Sequence, residues 1–345
     1  MPQFFFLLSG EHPTLPFAEL KAILEAEGIA HKERQRLPQV TRLDTTPDAV
    51  EALRRRAALT RICCREILHC RATLPEIVRT IQSVSMNSLL GPNETFAVRV
   101  RQVGEKTGAP TSIYLERKLG ELILEKTKKA RVDLERPRKT LFGAITEDIF
   151  TFGLKLAEIS PTPFMQRRPR KRPFFHPSAM PPKLARCMVN LAKPRKGELL
   201  IDPFCGTGSF LIEAGLIGCR VVGSDAKRYV VRGCRRNLKF LNVKHEGLAA
   251  ADAKHLPFTK ADCVVTDPPY GRSASTMGYT TGQIIQEFLT DAVNHVKRGQ
   301  RMCLAAPKTV NIRETAENLG LKCTESHLVY VHRSLTREIV VLEDE

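Results

Sequence analysis

No apolar run in this chain approaches the roughly 20 residues that a membrane-spanning helix needs. The opening "FFFLLSG" is too short to span a bilayer and has no basic leader, so it does not read as a signal peptide. Among ten cysteines, at 63, 64, 70, 187, 205, 219, 234, 263, 303 and 323, no Cys-x-x-Cys pair occurs. Most lie in apolar runs, where cysteine behaves as a small core residue. A reducing, cytoplasmic setting without a disulfide framework is expected. Acids are scarce beside bases: 37 Asp/Glu against 54 Lys/Arg, a net charge of +17. That balance calls for a polyanionic partner, nucleic acid first and an acidic membrane surface second. The lack of a spanning run weakens the membrane alternative.

With 345 residues, 42% of them hydrophobic, the chain can bury two or three cores. Residues 1–70 alternate as β-α-β-β-α-β, from the strand-like "PQFFFLL" to "TRICCREILHC", the order of a ferredoxin-like unit. Residues 71–160 form a second unit. There "TLPEIVRTIQSV" has helical spacing and "TFAVRVRQV" alternates with period two. A proline-rich stretch from Pro161 to Pro182 carries five Lys/Arg and no acid. Residues 161–176 are expected to be a basic linker, with Arg167, Arg168, Arg170, Lys171 and Arg172 as phosphate contacts; the bland alternative is a solvated hinge. Next, Ser178 is expected to cap a helix with Pro181 and Pro182 in its first turns. From 177 to 345 strands and helices alternate, which predicts an α/β domain with a parallel sheet. Two final strand-like runs, "ESHLVYVH" and "REIVVLE", predict a terminal antiparallel hairpin flanked by Arg333 and Arg337. Those arginines read either as RNA contacts near a site or as solvated turn residues.

Three acids stand at successive strand ends: Asp202 in "LLIDPFCGTGSFLIEAG", Asp225 in "RVVGSD" and Asp252 in "GLAAAD". Ligands bind at the carboxyl ends of strands in such sheets. Gly206, Thr207 and Gly208 let the backbone approach a ligand at a helix N-terminus. The spacing fits neither a dinucleotide fingerprint nor a Walker loop. Asp225 can accept both hydroxyls of a ribose, and Asp252 can receive an adenine amino group. A fourth strand, "DCVVTD", ends on Asp267 followed by Pro268, Pro269, Tyr270 and Gly271.

"DPFCGTG" followed by "DPPYG" resembles the signature of Rossmann-fold methyltransferases that use S-adenosylmethionine on exocyclic amino nitrogens. The resemblance puts Gly206, Thr207 and Gly208 on the methionine side of the cofactor, Asp225 at its ribose and Asp252 at its adenine edge. The implied cofactor-facing set is His176, Pro177, Asp202, Phe204, Gly206, Thr207, Gly208, Asp225, Ala226, Asp252, Ala253 and Asp267. The implied catalytic set is Asp267, Pro268, Pro269 and Tyr270. An exocyclic base amine is a weak nucleophile because its lone pair is delocalised into the ring. Asp267 can accept a hydrogen bond from it, and the Pro268–Pro269 pair can fix a main-chain carbonyl for the second hydrogen. Tyr270 can stack on the base, and Gly271 lets the chain turn away. No Pro-Cys nucleophile for pyrimidine C5 chemistry occurs.

"RPFFHPSAMPPKLARCMVNLA" and "HRSLTRE" closely resemble the archaeal tRNA guanine-10 N2-methyltransferase family. That resemblance implies a ferredoxin-like domain over 1–70, a THUMP domain over 71–160, both docking tRNA, and a Rossmann-fold methyltransferase domain over 177–345. It implies guanine N2 in tRNA as the target, with one or two methyl groups added; the cytoplasmic setting is the cysteine reading above, the sequence implies no protein partner, and a monomer is expected. The alternatives are an rRNA or DNA amino-methyltransferase and a catalytically idle tRNA-binding protein. His176 reads either as a structural hydrogen-bonder or as a residue near the cofactor. Cys63, Cys64, His69 and Cys70 lack zinc-ribbon spacing, so core packing is expected there and no metal site.

Overall fold

The computed structural model describes every residue except 87–88, 105–107, 128–129, 259, 271–279 and 345. The chain divides into two compact units. One holds residues 1–17, 29–54 and 59–160; the other holds 18–28, 55–58 and 161–345. Among the described residues no helix is long and apolar enough to cross a membrane.

The first unit is built on one eight-stranded sheet. Strands β1 (Gln3–Leu8), β2 (His31–Leu37), β3 (Val40–Thr45) and β4 (Thr60–Arg71) lie in the order β2-β3-β1-β4, each antiparallel to its neighbour. Helices α1 (Leu15–Ala26) and α2 (Asp48–Arg56) intervene along the chain, completing the β-α-β-β-α-β order. The sheet does not stop at residue 70. β4 pairs with β1 on one side and with β8 (Ile149–Glu158) on the other, Ile62 opposite Glu158 and Arg71 opposite Ile149. β8 forms a hairpin with β7 (Lys139–Thr146), which runs parallel to β5 (Thr95–Val103); the short β6 (Arg131–Val132) ends the sheet. Helix α3 (Leu74–Ser83) and helix α4 (Ser112–Lys126) contribute Ile77, Ile81, Leu115, Leu119 and Ile123 to a core with Phe96, Phe150 and Phe152. Thr111 caps α4 by accepting from the Tyr114 N–H at 3.4 Å.

The second unit is a doubly wound sheet. Its strands are β9 (Leu199–Asp202), β10 (Arg220–Asp225), β11 (Gly247–Ala250), β12 (Ala261–Thr266), β13 (Val296–Pro307), β14 (Leu321–His332) and β15 (Leu335–Asp344). They lie in the order β11-β10-β9-β12-β13-β15-β14. The first five are parallel, and β15 is antiparallel to both neighbours. Parallel strands are covered on both faces, which is why β12 reads as a near-continuous apolar run and is buried along nearly its whole length. β14, at the edge, instead mixes buried, partly buried and exposed positions. Helices α6 (Pro182–Leu191), α7 (Ser209–Leu216), α8 (Arg228–Phe240), α9 (Thr281–Ala292) and α10 (Ile312–Glu317) connect the elements. From β9 the strands build outward one way to β11; from β12 they build outward the other way. The order reverses between β9 and β12, and a ligand crevice is expected at their carboxyl ends.

The basic stretch differs from its sequence expectation. It contains α5 (Thr162–Gln166) and a 3₁₀ turn at Pro169–Lys171, and Phe164 is buried. Arg167 donates to both oxygens of Glu213, at 2.7 and 2.9 Å, and Arg186 reaches the same carboxylate at 2.9 Å. Glu213 lies on α7 and is fully buried, so its charge needs cations from within the unit. Arg172 is also buried and donates to Arg167 O and to Ser209 Oγ. Two of the five expected phosphate contacts therefore face inward. Arg168, Arg170 and Lys171 are exposed. Ser178 does not cap α6, whose N-cap is Pro181; its hydroxyl pairs with His176 instead.

Candidate active site

A cavity of about 260 Å³ opens at the carboxyl ends of β9, β10, β11 and β12. Asp202, the last residue of β9, is fully buried. Its Oδ1 accepts from the Thr266 hydroxyl at 2.7 Å and from Phe204 N at 3.2 Å, while Oδ2 has no partner among the described residues. Burial pushes this carboxyl up to about 8, against those two hydrogen bonds. The loop that follows is stitched to β10 by Cys205 N donating to Ser224 O at 2.8 Å. Gly208, the N-cap of α7, has φ 84°, and a Cβ there would lie 2.8 Å from the Cys234 sulfur. Only glycine meets both conditions.

Asp225 ends β10 and accepts from Gly206 N at 3.2 Å and Lys227 N at 3.0 Å. Burial raises its carboxyl despite those two bonds. Asp252 stands two residues beyond β11, exposed at the cavity wall beside Ala253. His176 also lines the cavity, its Nδ1 2.7 Å from Ser178 Oγ. Its loop is held by Asn237. That side chain accepts from Phe174 N, donates to Phe174 O and donates to Thr207 O, each at 2.9 Å. Gly233 makes room for the Phe174 ring, since a Cβ there would fall 2.2 Å from it. Phe174 meets Tyr229 edge to face, centroids 6.5 Å apart. Phe174, Tyr229, Gly233 and Asn237 were missed in the sequence, because α8 shows only an amphipathic pattern and nothing in it points sixty residues back.

Asp267 follows β12 and is half-buried, its side chain 13% exposed. Its Oδ1 has no partner among the described residues, and its Oδ2 lies 3.5 Å from Arg337 Nη2. Burial pushes the carboxyl up to about 6, opposed by the Arg337 charge and the Tyr270 hydroxyl. Burial likewise raises the Tyr270 hydroxyl. Pro268 and Pro269 line the same wall. Arg337 is not a solvated turn residue. β15 begins at Leu335, so Arg337 falls within the strand opposite Pro307, buried, with its Nε on the Tyr270 hydroxyl and its Nη1 3.7 Å from Met180 Sδ. Arg333 stays exposed in the turn, away from the cavity wall. Pro177 and Gly208 do not line the cavity, and Gly271 lies outside the described residues.

The cavity thus joins a glycine loop, two strand-end acids on the β10–β11 side and a half-buried acid with an aromatic ring on the β12 side. Asp202 Oδ2, Thr207 Oγ1 and Asp267 Oδ1 are buried without partners among the described residues. Unpaired buried polar atoms are costly, so this wall suits a ligand rich in hydrogen-bonding groups.

The chain is 38% identical to the tRNA (guanine(10)-N2)-dimethyltransferase of Methanothermobacter thermautotrophicus, over 98% of both chains. It belongs to that dimethyltransferase family. Another member, from Methanocaldococcus jannaschii, is 32% identical over 97% of this chain and 98% of its own. The family descriptions matched are an RMKL-like methyltransferase domain over residues 169–339 and a THUMP domain over residues 71–155. The methyltransferase match begins inside the basic stretch. Among solved structures, TrmN from Thermus thermophilus shares the fold with a TM-score of 0.58 at 20% identity, over 99% of this chain and 100% of that one. In this dimethyltransferase family member, the strand order and both domain matches describe a THUMP domain followed by a Rossmann-like methyltransferase domain.

Proposed function

We propose that this protein methylates the exocyclic N2 of a guanine in tRNA, at position 10, adding one and then a second methyl group. The observation that carries the chemistry is Asp267: a half-buried carboxylate whose buried Oδ1 has no partner among the described residues, beside the strand-order switch point, on the same cavity as the glycine loop. The glycine loop with Asp202, Asp225 and Asp252 would hold S-adenosylmethionine, whose sulfonium would supply the methyl group, the S–CH3 bond breaking to leave a neutral thioether while the methylated amine loses one proton to solvent. Asp202 Oδ2 and Thr207 Oγ1 offer acceptors toward its methionine end, and Asp225 and Asp252 toward its nucleoside end. Asp267 accepts from the guanine 2-amino group and localises its lone pair. A main-chain carbonyl of the Pro268–Pro269 turn takes the second hydrogen, and Tyr270 stacks on the base. No covalent intermediate on the protein is required; the chain contributes position and charge. A guanine in a helical stem reaches this depth only by leaving its stack.

The division of labour we propose follows the sequence segments, with residues 161–176 lying in the second compact unit. Residues 1–70 and 71–160 dock tRNA, residues 161–176 connect, and residues 177–345 carry out the transfer. The protein acts as a cytoplasmic monomer. Incubation with bulk tRNA and labelled S-adenosylmethionine, followed by nucleoside analysis, tests the reading. Label in N2-methyl- and N2,N2-dimethylguanosine supports it. Label confined to another base, or to rRNA or DNA, overturns it, and no label anywhere favours an idle tRNA-binding protein.

A further inference from the structure

The cations around the cavity fall into two groups. Lys227 and Lys254 follow β10 and β11, beside Asp225 and Asp252. Arg337 comes from β15, beyond the switch point, and meets Asp267 and Tyr270 instead. It is only 9% exposed. Burial opposes its charge, but the Asp267 carboxylate and the Tyr270 hydroxyl more than offset this and hold the guanidinium above its ordinary value. Arginine carries donors and no acceptor. The Tyr270 hydroxyl and Met180 Sδ fix two arms of the fork, and its carbon sits 5.6 Å from the Tyr270 ring centroid. This wall therefore sets an unpartnered acceptor, Asp267 Oδ1, beside a permanent donor. Guanine shows the complement along one edge: a 2-amino group, N1–H, then the O6 carbonyl. Adenine has an amino group where guanine has O6.

Resting on the functional reading above, we propose that Arg337 is the residue that selects guanine, donating to O6 while Asp267 accepts from the 2-amino group. A purine that keeps the 2-amino group but carries a 6-amino group turns N–H toward a fixed cation. A site built for a polar partner rejects the analogue that leaves it unmatched. The rival role is indirect: Arg337 would act only by holding Asp267 ionised.

The two roles separate in a substrate comparison. Synthetic tRNA carrying guanosine or 2,6-diaminopurine at the target position is offered to the wild type, Arg337→Lys and Arg337→Gln, and kcat/KM is measured for each. Binding of S-adenosylhomocysteine confirms that each variant folds. The wild type is expected to prefer guanosine, and both variants to narrow that preference by about tenfold or more, mostly through lost guanosine turnover. Arg337→Lys keeps a charge beside Asp267 but loses the planar fork, so it isolates recognition from charge. A parallel loss on both substrates, or a wild type that takes both equally, overturns this inference alone. A wild type that methylates N2 of neither overturns the functional reading and the inference with it.

Discussion

Asp267 works at the scale of one side chain. Its carboxyl, pushed up to about 6 by burial, must be ionised to accept from an amine. Arg337 and Tyr270 face it and favour the charged form, while the Asp267 charge in turn helps hold Asp202 up at about 8. A raised carboxyl is protonated below its shifted value and ionised above it, so single-turnover methyl transfer should rise with pH through about 6. Asp267→Ala should cut transfer at least about 100-fold, with little change in tRNA affinity. A comparable loss of tRNA binding would make Asp267 a structural residue. The position of the acid was legible in the sequence, because an apolar run leading into Asp-Pro-Pro-Tyr marks a strand end, and Asp267 does follow β12 on the cavity wall. Arg337 was legible only as a basic residue near a turn, since nothing local says that β15 begins two residues earlier and turns it inward.

At the scale of elements, the parallel strands β9, β10 and β12 were legible because each is a short apolar run leading into an acid, whereas β11 ends two residues before its acid and β13 ends on Pro307. The shared sheet of the first unit was not. β4 is twelve residues long and serves neighbours on both sides, a fact of pairing that alternation cannot show. The basic stretch was misjudged for a similar reason. Its partner is Glu213, more than forty residues on, in a helix that reads as apolar. Removing that carboxylate leaves the buried Arg186 and the half-buried Arg167 without their counter-charge. Glu213→Ala should therefore destabilise the fold by about 3–5 kcal/mol, seen as a lower thermal midpoint. An unchanged midpoint would mean that the two arginines find water or other acceptors.

Over the whole molecule, the +17 charge is the electrostatic footprint of a nucleic-acid partner. Of the basic stretch, only Arg168, Arg170 and Lys171 are free to reach phosphate. Neutralising these three should weaken tRNA binding and flatten its logarithmic salt dependence by about 2–3. An unchanged slope would move the docking surface elsewhere on the chain. The central claim, however, concerns a single atom. It is tested most directly with two tRNA transcripts that differ only at position 10, one with guanosine and one with inosine, which lacks the 2-amino group. Transfer to the first and none to the second is the predicted result; equal transfer to both would contradict it.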